Sequence, residues 1–215
     1  MYKTVIKRFF DLVIGIIGFP FFLISFIILA PIIKLTDKGP VFYNANRIGK
    51  NGKLFKMYKF RSMYVNAPDI RNVDGSTYNG DDDPRVTKIG RFMRFTSLDE
   101  LPQVLNMING SMSLIGPRPD PPDDMQIYTD EQKRKLIVRP GLTGYNQAYF
   151  RNSVEQNEKF EHDVYYADHM SFWFDVKIFF KTIRTVLSHE SVYNNASAPT
   201  QEEMKKMKDR RGGGI

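Results

Sequence analysis

Two adjacent carboxylates, Asp99 and Glu100, stand in the stretch Thr96-Ser97-Leu98-Asp99-Glu100-Leu101-Pro102, at the start of a segment with helical periodicity. Ser97 and Glu100 have capping-box spacing, while Pro102 prefers a first helical turn and favours Asp99 as the cap. Either way the carboxylates lie in the positive field of a helix N-terminus, where the ionised form is stabilised and available as nucleophile, base or metal ligand. Acids at helix starts are also ordinary caps, so the pair gains weight only from its neighbours. Arg91 and Arg94 precede it, and Arg118 follows in Gly116-Pro117-Arg118-Pro119. A guanidinium pinned between Pro117 and Pro119 suits bidentate contact with phosphate oxygens, because little freedom remains to be lost. Lys59 and Arg61 in Tyr58-Lys59-Phe60-Arg61-Ser62-Met63, and Arg139 in Val138-Arg139-Pro140-Gly141, are further cationic candidates. Carboxylates that would repel a phosphate, set among such cations, call for a divalent cation such as Mg2+ between them.

Asp81-Asp82-Asp83-Pro84 contains the D-x-D spacing that nucleotide-sugar glycosyltransferases use to hold a metal. A solvated acidic turn explains the same residues, so the metal role stands as a rival reading. His162, His169 and His189 form no ligand spacing and are read as structural or solvated. A third reading is a non-catalytic basic protein that binds membrane or nucleic acid.

These residues must be positioned by a chain of 215 residues with 31 Lys plus Arg against 24 Asp plus Glu, a net charge of +7. That length supports one modest domain, and the basic balance points to an anionic partner. The absence of cysteine excludes disulfide scaffolds, thiolate zinc sites and cysteine nucleophiles.

From Leu12 to Ile33 no side chain is charged, and as one helix the run would reach about 33 Å, near the thickness of bilayer hydrocarbon. Its length and the Ala30-Pro31 exit argue against a cleaved signal peptide. Lys3, Lys7 and Arg8 precede it and Lys34 and Lys38 follow it, so both flanks favour the cytoplasm. Pro20, with Gly15, Gly18 and Ser25 around it, weakens the middle. Those features fit a re-entrant helix hairpin and also a proline-kinked span.

Beyond Gly39-Pro40 the chain turns polar. A hairpin is expected from Val41-Phe42-Tyr43 through the turn Gly49-Lys50-Asn51-Gly52 to Leu54–Phe60. Residues 66–84 read as a long surface loop. Helices are expected over Leu101–Ile108, stopped by Gly110, and over Phe172–Leu187. The latter carries Trp173 and several Phe on one side and Lys177, Lys181 and Arg184 on another, which suits the headgroup layer of a membrane. The tail from Asn194 is polar and reads as dispensable.

The whole pattern resembles the bacterial sugar transferases known as monotopic phosphoglycosyl transferases. The resemblance runs from Lys7-Arg8-Phe9-Phe10-Asp11 through Gly39-Pro40-Val41-Phe42, Tyr58-Lys59-Phe60-Arg61-Ser62-Met63 and Ser97-Leu98-Asp99-Glu100-Leu101-Pro102-Gln103. It continues with Gly116-Pro117-Arg118-Pro119, Val138-Arg139-Pro140-Gly141-Leu142-Thr143-Gly144 and Asp163-Val164-Tyr165-Tyr166. It implies an α+β, mainly helical fold, with a re-entrant membrane helix in residues 1–38, a small cytoplasmic catalytic domain in 39–193 and a charged tail in 194–215. That domain would contain a short β-hairpin and interfacial amphipathic helices.

The implied reaction moves a phosphosugar from a UDP-sugar to polyprenyl (undecaprenyl) phosphate with release of UMP, the first membrane step of capsule, O-antigen, exopolysaccharide or glycoprotein assembly. Carried onto this sequence, Asp99 would be the nucleophile and Mg2+ ligand, and Glu100 would assist. Arg94 and Arg118, the latter with Pro117, would bind phosphate groups, with Lys59, Arg61 and Arg139 as further substrate contacts. The resemblance implies membrane lipid as a partner, excludes nucleic acid, allows a homodimer and places the protein at the cytoplasmic face of the bacterial inner membrane. Family members often have a Ser-Pro pair at the membrane break, whereas here that stretch is Leu23-Ile24 and the proline falls earlier at Phe19-Pro20. The resemblance implies a minimal member, expected to have no extra membrane domain ahead of the run.

Overall fold

The computed structural model describes residues 1–70, Tyr78, Gly80, 83–150 and 154–188. The apolar run forms α1 (Lys7–Asp37), a 31-residue helix that contains Pro20 and Pro31 and is divided at neither. One π-type turn, Tyr2–Ile6, leads into it. By length and composition α1 can cross a membrane, and only 17% of its most apolar window is buried inside the protein.

What is buried forms a stripe: Lys7, Asp11, Gly15, Phe22, Leu29 and Ile33. Steps of four and seven residues return to one helix face, so the stripe lies along nearly the whole helix. Gly15 and Gly18 let the helix approach Ile108 and Val104 closely, since a Cβ at either would meet them at 3.0 and 3.1 Å.

The predicted hairpin is present as β1 (Phe42–Ile48) and β2 (Leu54–Phe60), antiparallel with Phe42 opposite Phe60 and Ile48 opposite Leu54. Asn51 at φ 57° and Gly52 at φ 74° turn the chain between them. Phe60 stacks on Phe42 at 5.5 Å and on Phe22 at 6.1 Å, and with Ile33, Met93 and Val104 these side chains form a core shared by α1 and the polar part of the chain.

The 66–84 segment is not simply a surface loop, because Ile70, Tyr78 and Asp83 are buried and Arg85 donates to the Asp83 carboxylate at 2.8 and 2.9 Å. α2 (Lys88–Thr96) follows, capped by the Thr87 hydroxyl, which accepts from the Gly90 amide at 2.9 Å. The helix expected over Leu101–Ile108 divides into a 3-10 segment, Leu98–Gln103, and α3 (Val104–Asn109), which ends at Gly110 with φ 85°.

A second sheet pairs β3 (Ser113–Ile115) in parallel with β4 (Gly141–Thr143). α4 (Tyr145–Tyr149), α5 (Gln156–His169) and α6 (Phe172–Leu187) pack behind it around Ile115, Tyr166, Ala167 and Ile178. α6 has its expected bounds and is capped by Ser171. It buries Asp175, Ile178 and Thr185 while exposing Trp173, Phe179, Phe180, Ile183 and Val186. Arginines hold the end of α3: Arg8 donates to the carbonyls of Met107 and Ile108, and Arg139 donates to that of Gly110 at 2.9 Å. Cations there satisfy helix-end carbonyls that have no partner within the helix.

Candidate functional site

Ser97 turns α2 into the 3-10 segment with left-handed backbone, φ 58°, and its side chain makes no cap bond to that segment. The capping box is therefore not formed, and Asp99 and Glu100 enter the first turn after a sharp bend rather than a standard helix start. The bend delivers both carboxylates to β2. Lys59 places its ammonium 3.0 Å from Asp99 Oδ2 and 3.0 Å from Glu100 Oε1. β2 is held in turn by Asn106, whose side chain accepts from the Tyr58 amide at 2.9 Å and donates to the Lys56 carbonyl at 2.8 Å.

The two carboxylates differ in environment. Burial pushes the Asp99 carboxyl above its ordinary range, the Lys59 ammonium opposes that rise, and the neighbouring Glu100 charge adds to it. Burial also acts upward on Glu100, but Lys59 and Arg118 outweigh it and hold this carboxyl low. Lys59, desolvated yet facing two acids, has its own pKa raised. Arg94 extends from the last turn of α2, donates to the Ser62 hydroxyl at 3.0 Å and adds positive potential at Asp99.

Lys59, Asp99 and Glu100 are thus in contact, with Arg94 and Arg118 in electrostatic reach. Pro117 and Arg118 line a cleft with Ile48 and Pro140. Two of the predicted cations are placed elsewhere. Arg61 gives both terminal nitrogens to Asp37, at 2.5 and 2.6 Å, and its Nε to the Pro40 carbonyl. Its fork is committed to the end of α1, while Arg139 gives its Nε to the Gly110 carbonyl at 2.9 Å. The partners of both arginines come from distant parts of the chain.

Asp81 lies outside the described residues, and Asp83 is buried with its carboxylate on Arg85, which leaves it unfit as an open metal ligand. His162 pairs with Asn146 at 3.0 Å and His169 with the Tyr165 carbonyl at 2.9 Å, both structural; His189 is outside the described residues. Among the described residues no group of three or more His, Cys, Asp or Glu could hold a metal ion. Two adjacent carboxylates do fit Mg2+, which commonly takes one or two protein carboxylates and completes its shell with phosphate oxygens and water.

The sequence matches the bacterial sugar transferase family over residues 2–189. The chain belongs to that family. Among its relatives, the UDP-N-acetylgalactosamine-undecaprenyl-phosphate N-acetylgalactosaminephosphotransferase of Aeromonas hydrophila is 40% identical over 193 residues, 85% of this chain and 44% of that protein. The undecaprenyl-phosphate galactose phosphotransferase of Salmonella typhimurium is 38% identical over 205 residues, 87% of this chain and 42% of that protein. An uncharacterized sugar transferase of Bacillus subtilis is 40% identical over 188 residues, 87% of this chain and 90% of that protein. The chain therefore spans less than half the length of the first two relatives and nearly all of the third.

Sequence reasoning did not find a second charged cluster in this chain. Lys135 is 2% exposed and donates to Asp120 and to Asp163, the latter at 3.0 Å. In the sequence it belongs to Lys133-Arg134-Lys135, a run with the look of a solvated face.

Proposed function

We propose that this chain transfers a phosphosugar from a UDP-sugar to polyprenyl phosphate and releases UMP. The observation that carries the reading is the Asp99–Lys59–Glu100 contact with Arg94 and Arg118 around it, in a family whose relatives are named as undecaprenyl-phosphate sugar phosphotransferases. An Asp99 oxygen attacks the sugar-linked phosphorus, and the bond from that phosphorus to the bridging oxygen breaks, so UMP leaves with the electron pair. A phosphate oxygen of the polyprenyl phosphate then attacks the aspartyl-phosphosugar and frees the Asp99 carboxylate. Arg94 and Arg118 bind phosphate oxygens, Lys59 orients the carboxylates, and Glu100 assists by accepting the acceptor's proton. Mg2+, held by Asp99 beside Glu100, would neutralise diphosphate charge.

The same proposal includes a re-entrant α1 and a catalytic domain on the cytoplasmic face of the bacterial inner membrane. Its support is that both ends of α1 bind one domain: Lys7 to Asp175 at 2.6 Å, and Asp37 to Arg61. α1 is one helix packed along that domain from end to end, so crossing the bilayer would draw the polar domain into hydrocarbon. Basic flanks at both ends favour the cytoplasmic side.

The test is a burst measurement with purified protein, Mg2+ and a panel that includes UDP-galactose and UDP-N-acetylgalactosamine. Without lipid acceptor, UMP should approach one per protein, with a mass increase of one phosphosugar, and Asp99→Asn should give neither. Substantial turnover by Asp99→Asn, release of UDP, or UMP that appears only after polyprenyl phosphate is added would overturn the covalent reading.

A further inference from the structure

The Arg118 guanidinium makes no hydrogen bond or ion pair with any described residue, and Arg118 is exposed. Where its side chain starts is set by the backbone that carries it, and the Glu100 carboxylate lies within its electrostatic reach. That backbone is fixed at several points. The Gly116 amide donates to the Thr143 carbonyl at 2.9 Å, the Pro117 carbonyl accepts from Gly141 at 2.8 Å, and the Asp120 carbonyl accepts from Ile48 at 2.9 Å. Pro117 and Pro119 remove two more rotations.

Beneath the loop is a dense charged cluster. The Asp120 carboxylate accepts from the Tyr128 hydroxyl at 2.7 Å and from Lys135, and Lys135 reaches Asp163 on α5 at 3.0 Å. The Lys135 ammonium also lies 4.4 Å from the centre of the Phe160 ring and 4.9 Å from that of Tyr128. The Arg118 main-chain amide also favours the ionised Asp163 carboxylate. Two carboxylates and one ammonium buried together are an expensive way to stabilise a core, and apolar residues of similar volume often do it as well. What the cluster supplies and an apolar core would not is directional hold on residues 118–120 and a charge complementary to a cation above it.

We propose that Lys135, Asp120 and Asp163 are positioning residues that aim Arg118 at a phosphate of the nucleotide donor. They touch no substrate and act through the loop. The proposal rests on the phosphate-binding role given to Arg118 above.

A double-mutant cycle on the affinity of the full-length protein for UDP with Mg2+ tests it, because UDP carries the diphosphate whatever sugar is native. Asp163→Asn preserves shape and an acceptor oxygen but removes the charge facing Lys135. It should weaken UDP binding roughly tenfold in the wild-type background and less than about twofold when Arg118→Ala is already present, since the arginine is then no longer there to be aimed. Lys135→Arg, which keeps the charge but displaces it, should behave the same way and serves as the second variant if Asp163→Asn does not fold. Thermal unfolding of each variant runs alongside, because a purely structural role would lower stability and affinity equally in both backgrounds. Equal losses in both backgrounds, or unchanged UDP affinity in a folded Asp163→Asn protein, overturn the positioning role alone. If Arg118→Ala itself binds UDP as wild type does, the phosphate-binding role falls and the positioning role with it. Neither result bears on the Asp99 burst, so the two readings fail separately.

Discussion

Lys59 holds two carboxylates at one distance, and the cost of its removal is set by what it leaves behind. Without it, Asp99 keeps its burial, both acids lose their nearest cation, and their mutual repulsion favours protonation. Lys59→Met should lower the rate of UMP release on the order of 100-fold, the cost of losing one preorganised donor from a site that stabilises developing charge. The sign of the pH effect follows from the same contact: the ammonium favours the ionised acids, so its loss raises their pKa values and moves the acid limb of the pH–rate profile upward. Profiles of wild type and Lys59→Met measured side by side check both statements. A loss below about threefold with an unmoved limb would make Lys59 a structural lysine.

At the scale of elements, the site depends on two backbones crossing without side chains between them. A Cβ on Gly141 would lie 2.1 Å from the Gly116 nitrogen and 2.3 Å from the Thr143 carbonyl, and one on Gly144 would lie 2.1 Å from the Gly116 carbonyl. These neighbours are main-chain atoms of β4 and of the loop that carries Arg118, so they cannot yield without moving that loop. Gly141→Ala should therefore cost about 2–3 kcal/mol of stability, together with most of the activity. Gly18→Ala, which meets only the Val104 side chain at 3.1 Å and replaces a glycine inside a helix, should cost far less. Thermal unfolding in detergent ranks the two, and the reverse order would remove the crossing from the account of the site.

The molecule as a whole is built around a helix that is neither a free membrane span nor a soluble core helix. One stripe of α1 joins the core through Phe22, Leu29 and Ile33, while Ile16, Ile17, Phe21, Ile24, Ile27 and Ile28 remain exposed. Apolar side chains of α6, Trp173 and Phe180 among them, are also exposed and give the protein a second surface suited to lipid. If the domain sits on one leaflet, single cysteines at Thr4 and Asn51, both exposed, should be labelled by a membrane-impermeant thiol reagent from the same, cytoplasmic side of sealed vesicles. The chain contains no other cysteine to confuse the result. Labelling from opposite sides would leave α1 as a proline-kinked span.

Local patterns determined much of this protein. Gly49-Lys50-Asn51-Gly52 between two aromatic-rich runs specified the β1–β2 hairpin, and the periodicity of Phe172–Leu187 with Ser171 ahead of it specified α6, because turn geometry and helix faces are set by residues a few positions apart. The linked motifs around Asp99 were likewise enough to place the chain in its family. Which cation meets which acid was decided only by tertiary structure. Lys59 and Arg61 stand two residues apart, yet one reaches Asp99 and Glu100 and the other Asp37. Lys135, in a basic run that reads as solvated, is buried between Asp120 and Asp163. Burial and charge pairing depend on which distant segments packing brings together, and no local signal in a single sequence carries that information.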